Sequence, residues 1–214
     1  MKYTISLCLL FLIGSNVCAK TIFESGTLGA TGIVASELSS GAVLGTSVDS
    51  FVYVGARFQL NQHVLTQRIG GHFVSASSGT FFGAIVKLNG ENDTPDSLDL
   101  STPDILGAAL IDFPTSSNEV FGNLSLTLEP GWYSLVFGSG LFGTSGDGGA
   151  VRNGTDIGEP AYISAQPFSG VSNWIDVGSE LPNHRFVLQG QIVPEPTSFL
   201  LLLLGLPFVI SRSR

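Results

Sequence analysis

Apolar and polar residues alternate along most of this chain, in short runs set apart by clusters of Gly, Asn, Ser and Asp. The alternation is cleanest in 120–128, where Leu124, Leu126 and Leu128 stand against Asn123, Ser125 and Thr127. In 51–60, Val52, Val54, Ala56, Phe58 and Leu60 share one face in the same way. A period of two marks a strand that lays one face on a core. Similar runs occupy 63–74, 80–88, 105–113, 132–139 and 184–192, and several carry an internal glycine that suggests a bulge or a close backbone approach. No stretch between the termini sustains the i, i+3, i+4, i+7 spacing of a capped helix. The pattern therefore predicts an all-β fold, a jelly-roll-like antiparallel β-sandwich of about eight to ten strands.

Within that frame, "LEPGWYSL" (128–135) reads as strand, tight turn and strand, with Pro130 and Gly131 in the turn. Trp132 and Tyr133 then restart the sheet on opposite faces, which puts one of them in the core. Segments 89–104 and 140–160, rich in Asp, Pro and Gly, are expected to be long loops.

The two ends break the pattern. "MKYTISLCLLFLIGSNVCAK" places Lys2 before an apolar core from Ile5 to Ile13 and then small residues at Val17 and Ala19. That is the layout of a secretory signal peptide, with cleavage expected after Ala19 and a core too short to span a bilayer. Cys18 lacks the small apolar triplet that precedes a lipoprotein cysteine. At the other end, "IVPEPTSFLLLLLGLPFVISRSR" brackets Glu195 with prolines and follows it with an apolar run, Phe199–Ile210, closed by Arg212 and Arg214. As a helix, that run covers about 18 Å at ~1.5 Å per residue, against about 30 Å of hydrocarbon. Basic residues at the end favour the cytoplasmic side and leave everything before Pro194 outside. The expected organisation is a signal helix in 1–19, an extracellular sandwich in 20–192, and a sorting signal with a short membrane helix in 193–214.

Val193, Pro194, Glu195 and Pro196, an apolar stretch and a short basic end together resemble the PEP-CTERM sorting signal of Gram-negative bacteria. The resemblance covers about the last 22 residues. It implies export by the general secretion machinery and recognition of the tail by exosortase, a membrane-embedded cysteine transpeptidase that cuts near the motif. The apolar run here is short, and serines interrupt the basic end. Independently of any family, prolines around Glu195 favour an extended segment that a protease can grip. The stretches "GTFFGAIVKL", "LSLTLEPGWYSLVFGSGLFGT" and "NGTDIG" are similar to β-rich extracellular modules described as choice-of-anchor domains, which implies architecture and location only.

Charge and candidate chemistry narrow the reading further. Between the two ends, six basic residues face sixteen acidic ones, a balance of −10. Such a body argues against nucleic acid and anionic lipid as partners. Both cysteines, Cys8 and Cys18, lie in the signal region, so thiol chemistry and cysteine zinc sites are excluded from the body. No cofactor motif is present, and no nucleophile elbow or phosphate loop. Asp93, Asp96 and Asp99 in the 89–104 loop offer hard oxygens suited to Ca²⁺, set against their ordinary use as turn residues. The glycine-rich 138–160, with Asp147, Arg152, Asp156 and Glu159, reads as a mobile surface loop or a rim for sugars. Trp174, between turn residues, is the aromatic expected to be exposed and to contact a glycan. His63, His72 and His184 have no metal-ligand spacing, and His72 is expected at a strand edge. Two functions remain: a non-enzymatic surface or matrix protein associated with exopolysaccharide, or a module that binds or cleaves carbohydrate.

Overall fold

A computed structural model of the chain describes residues 19–38, 44–166, 173–178 and 182–194. It is built from two antiparallel sheets. The first contains β1 (Lys20–Glu24), β2 (Leu44–Val48), β4 (Val64–Ser77), β7 (Asn118–Asn123), β8 (Thr127–Leu128), β10 (Asp147–Arg152) and β13 (Phe186–Ile192). The second runs in the order β12 (Ile175–Asp176), β11 (Ala161–Ala165), β3 (Tyr53–Leu60), β9 (Gly131–Gly138), β5 (Thr80–Leu88), β6 (Ile105–Asp112). Among the described residues the only helical element is a short 3₁₀ turn at Ala35–Glu37.

The long strand β4 organises the first sheet. On one flank it pairs with β13 from Val64↔Ile192 to Gly71↔Phe186, and then with β10 from Phe73↔Ala150 to Ser77↔Asp147. On the other flank it pairs with β8 and β7. The handover between neighbours needs two residues without side chains. A Cβ on Gly70 would lie 1.9 Å from the Val120 carbonyl oxygen, and one on Gly71 would lie 2.1 Å from that of Arg185. Glycine here serves close approach of backbones.

The main core lies between the sheets. Val54, Ala56, Phe58 and Leu60 of β3 face it, with Val52 half-buried beside them, as the alternation predicts. Phe73 of β4 sits 4.5 Å from Phe81 and 5.1 Å from Phe137, and Phe137 stacks on Phe186 at 5.1 Å. Burial of each such ring contributes roughly 1.5–3 kcal/mol. A second core covers the outer face of the second sheet, where Tyr53, Phe82, Val86, Leu88, Val136 and Ile163 are capped by Leu98, Leu100 and Trp174. Strands β3, β5 and β9 are therefore buried on both faces, which explains why "TFFGAIVKL" reads as an almost unbroken apolar run.

Tyr133 enters the main core and Trp132 stays half-buried on the outer one. The turn between them and β8 crosses from one sheet to the other, and the Tyr133 hydroxyl donates to the Glu129 carbonyl at 2.7 Å. The bond ties the start of β9 back to the backbone four residues upstream, as a tyrosine corner does. The run 120–128 departs from expectation, since it breaks into β7 and β8. Thr66 inserts its hydroxyl in the gap, accepting from the Leu126 N–H at 2.8 Å and donating to the Leu124 carbonyl at 2.5 Å. The predicted loop 140–160 is also corrected: it contains β10, whose Gly148, Gly149 and Ala150 carry too little side chain to show a period.

Among the described residues the first strand is β1, from Lys20, and the last is β13, to Ile192, and the Val193 N–H donates to the His63 carbonyl at 2.8 Å. The expected signal helix, the membrane helix, Glu195, Pro196, Arg212 and Arg214 lie outside the described residues. Among the described residues no helix is long and apolar enough to cross a membrane.

Candidate functional site

Two of the three candidate aspartates and the candidate tryptophan converge. Asp93, Asp96 and Trp174 line one cleft of about 240 Å³ with Thr94, Ser97 and Asn173, while Asp99 lies outside it. The loop that carries the aspartates is shaped by their own carboxylates. Asp93 accepts from the Asn89 backbone N–H at 2.7 Å, its side-chain amide at 3.0 Å and the Thr94 N–H at 3.0 Å. The Asn89 N–H foremost holds the Asp93 carboxyl below its usual range. Asp99 accepts from the Ser101 hydroxyl at 2.8 Å, which lowers it likewise, and Asp104 accepts from the Asp96 N–H at 3.0 Å. Among the described residues no three His, Asp or Glu side chains gather into a metal-ligand set.

Trp174 is not the exposed aromatic that its neighbours suggest. It is 6% exposed, its ring lies 6.2 Å from that of Tyr53, and its indole N–H donates to the Ser97 carbonyl at 3.1 Å. It still lines the cleft, and its side chain clamps the 89–104 loop onto the sheet. Beside it, buried Arg57 of β3 donates to the Asp176 carboxylate and, at 3.3 Å, to the Asp93 carbonyl. The lone arginine in "FVYVGARFQL" was the sequence signal for this anchor, because a charge inside a strand buried on both faces demands a partner.

The glycine-rich 138–160 segment is likewise pinned. Asp156 lies 2.6 Å from the Tyr162 hydroxyl and accepts from the Asn183 N–H at 2.7 Å, while Arg152 donates to the Pro182 carbonyl at 3.3 Å. Burial pushes the Tyr162 hydroxyl far above its ordinary range. Ser25 and His184 adjoin this tyrosine, yet the Ser25 hydroxyl donates to the His184 carbonyl at 2.7 Å and accepts from the Phe186 N–H at 2.9 Å. With its hydrogen given to a carbonyl, Ser25 ties three chain segments together and is not poised as a nucleophile. His72 lies buried inside the sheet between β13 and β7, which corrects the expected edge position. Its Nε2 has no hydrogen-bond partner, and burial lowers its pKa. Next to it, Arg185 donates to Glu119 at 2.5 Å and Glu24 at 2.7 Å.

Comparisons with protein-family models, with curated proteins and with solved structures each found no match to this chain.

Proposed function

We propose that this chain is an exported, non-enzymatic surface or extracellular-matrix protein of a Gram-negative bacterium. Its jelly-roll-like body is associated with exopolysaccharide, and its Val193–Pro196 motif is handled by exosortase after passage through the general secretion machinery. The membrane contact is made by the apolar stretch before the terminal arginines, transiently if the tail is cut and permanently if it is kept. One observation carries the reading. The sandwich begins at Lys20, directly after Ala19, and its last strand ends at Ile192, directly before the motif. Among the described residues the strands thus close a sandwich between Ala19 and the motif, which supports reading both ends as addresses for membrane machines.

Mass spectrometry of the protein from its native host tests this. The expected product starts at Lys20 and lacks Arg214, and Glu195→Ala retains the tail. A cytosolic product that runs from Met1 to Arg214 overturns the proposal. The second reading, a carbohydrate-binding or carbohydrate-cleaving module, is favoured by the polar cleft lined by Asp93, Asp96 and Ser97. Retention on polysaccharide without released sugar selects binding over cleavage.

A further inference from the structure

Two Asn-Gly dipeptides occur in the chain, Asn89-Gly90 and Asn153-Gly154, and the fold treats them oppositely. Such a pair is chemically labile, because the backbone nitrogen after an asparagine can attack the side-chain amide. Glycine there has no Cβ to shield that nitrogen, and its free φ and ψ let it turn toward the amide carbon. Whether the attack happens depends on what holds the two residues in place.

Asn153 is held from several directions. Its amide nitrogen donates to the Ala30 carbonyl at 2.9 Å, while its Oδ1 is buried without a hydrogen-bond donor. Gly29 packs so closely that a Cβ there would lie 2.0 Å from this Oδ1. The next residue is fixed as well, since a Cβ on Gly154 would sit 2.3 Å from the Thr27 carbonyl oxygen. Thr27 and Thr155 then exchange hydrogen bonds at 2.7 and 2.9 Å. Attack on this amide would build negative charge on an oxygen that nothing stabilises. It would also pull the turn away from Thr27 and Ala30.

Asn89 lies in the turn that leaves β5, and it is exposed. A Cβ on Gly90 would meet nothing within 4 Å. The side-chain amide and the backbone N–H of Asn89 both donate to one surface oxygen, Asp93 Oδ2, at 3.0 and 2.7 Å. An ionised carboxylate can only accept, so it takes the amide nitrogen and leaves the carbonyl side of that amide to water. We infer that Asn89 is a site of spontaneous deamidation selected by the fold, and that its conversion releases the 89–104 loop. In the reaction the Gly90 nitrogen gives up its proton and bonds to Asn89 Cγ. The Cγ–Nδ2 bond breaks, and Nδ2 leaves as ammonia with that proton. Water then opens the succinimide at either carbonyl, giving aspartate or β-linked isoaspartate with no change of oxidation state.

Either product exchanges the amide donor for a carboxylate beside that of Asp93, where like charges repel. Asp93 anchors the loop, accepting from the Thr94 N–H through its carboxylate and from Arg57 through its carbonyl. Leu98 and Leu100 of the same loop cap the outer core, so loosening Asp93 loosens the cap and reshapes the cleft that Asp93 and Asp96 line. The reaction needs only water and the folded chain, so it proceeds however the protein is sorted.

The test is incubation of the full chain in mild detergent at mildly alkaline pH, followed by tryptic peptide mass spectrometry. Cleavage after Lys87 and Arg152 puts the two asparagines in different peptides. In the folded chain Asn89 is expected to convert at least about tenfold faster than Asn153, and the difference should close in urea. Gly90→Ala should slow Asn89 by about tenfold at an unchanged melting temperature, because its methyl group enters open space. Asn89→Asp, which carries the product's charge, should speed hydrogen exchange at Leu98 and Leu100 by several-fold. Equal conversion of both asparagines in the folded chain overturns the inference. So does an intact Asn89 when the urea control has converted it, or a Gly90→Ala variant that converts at the wild-type rate. Unchanged exchange at Leu98 and Leu100 in Asn89→Asp overturns the release of the loop.

Discussion

Replacing Trp174 with alanine separates a structural clamp from a surface platform, because the two roles predict opposite outcomes. The indole is nearly fully buried against Tyr53 and the 89–104 loop, so its truncation removes a large apolar contact and opens a cavity on the outer face of the second sheet. Substitutions of this size in cores cost about 3–5 kcal/mol. For a domain of this length, 1 kcal/mol moves the melting point by roughly 2–4 °C. Trp174→Ala is thus expected to lower it by about 6–20 °C. Trp174→Phe retains most of the packing and loses only the donor to the Ser97 carbonyl. That bond is worth about 0.5–1.5 kcal/mol, a loss of a few degrees. Differential scanning fluorimetry reads both, and hydrogen exchange at Leu98 and Leu100 should rise in the alanine variant before the rest of the sheet responds, since these residues cap the same cluster. A melting point within a degree of wild type for Trp174→Ala would refute the clamp, because surface substitutions stay within about 0.5 kcal/mol.

Three further outcomes follow from other contacts. Tyr133→Phe deletes the corner bond to Glu129 and should cost about 1 kcal/mol, measured as a shift of the urea midpoint with unchanged slope. Gly70→Ala sets a methyl group against the Val120 carbonyl and should prevent pairing of β7 with β4, seen as loss of soluble, protease-resistant protein. His72 faces Glu119 and Arg185, and its pKa is lowered in the fold by burial. Below an unfolded pKa of about 6.5 the unfolded chain takes up a proton that the fold refuses. Its contribution is therefore complete above that pH and lost as pH falls toward the folded value. His72→Gln should flatten this part of the stability–pH curve, and an unchanged slope between wild type and variant would remove His72 as its source.

The main core was legible because β3 alternates strictly and because Tyr133 follows a turn that leaves it no other face. What escaped has particular physical causes. Strand β10 is built of Gly148, Gly149, Ala150 and Val151, and a strand needs no side-chain period where its neighbours supply the contacts. Trp174 looked exposed because its flanking residues are polar, yet burial is decided by Tyr53 and Ser97, both more than 70 positions away. Phe51 looked like the first residue of an alternating strand, when the Asp49 turn in fact ends before β3 begins and turns that ring outward.

The misreading of Trp174 has a structural cause. The second sheet is covered on its outer face by a loop and a short segment instead of a third layer, so every large aromatic there is drafted into packing. The groove lined by Lys20 and Ile192 marks the pole where the described strands begin and end, and the 49–52 and 139–147 loops lie at the other pole, because β3 runs from one to the other.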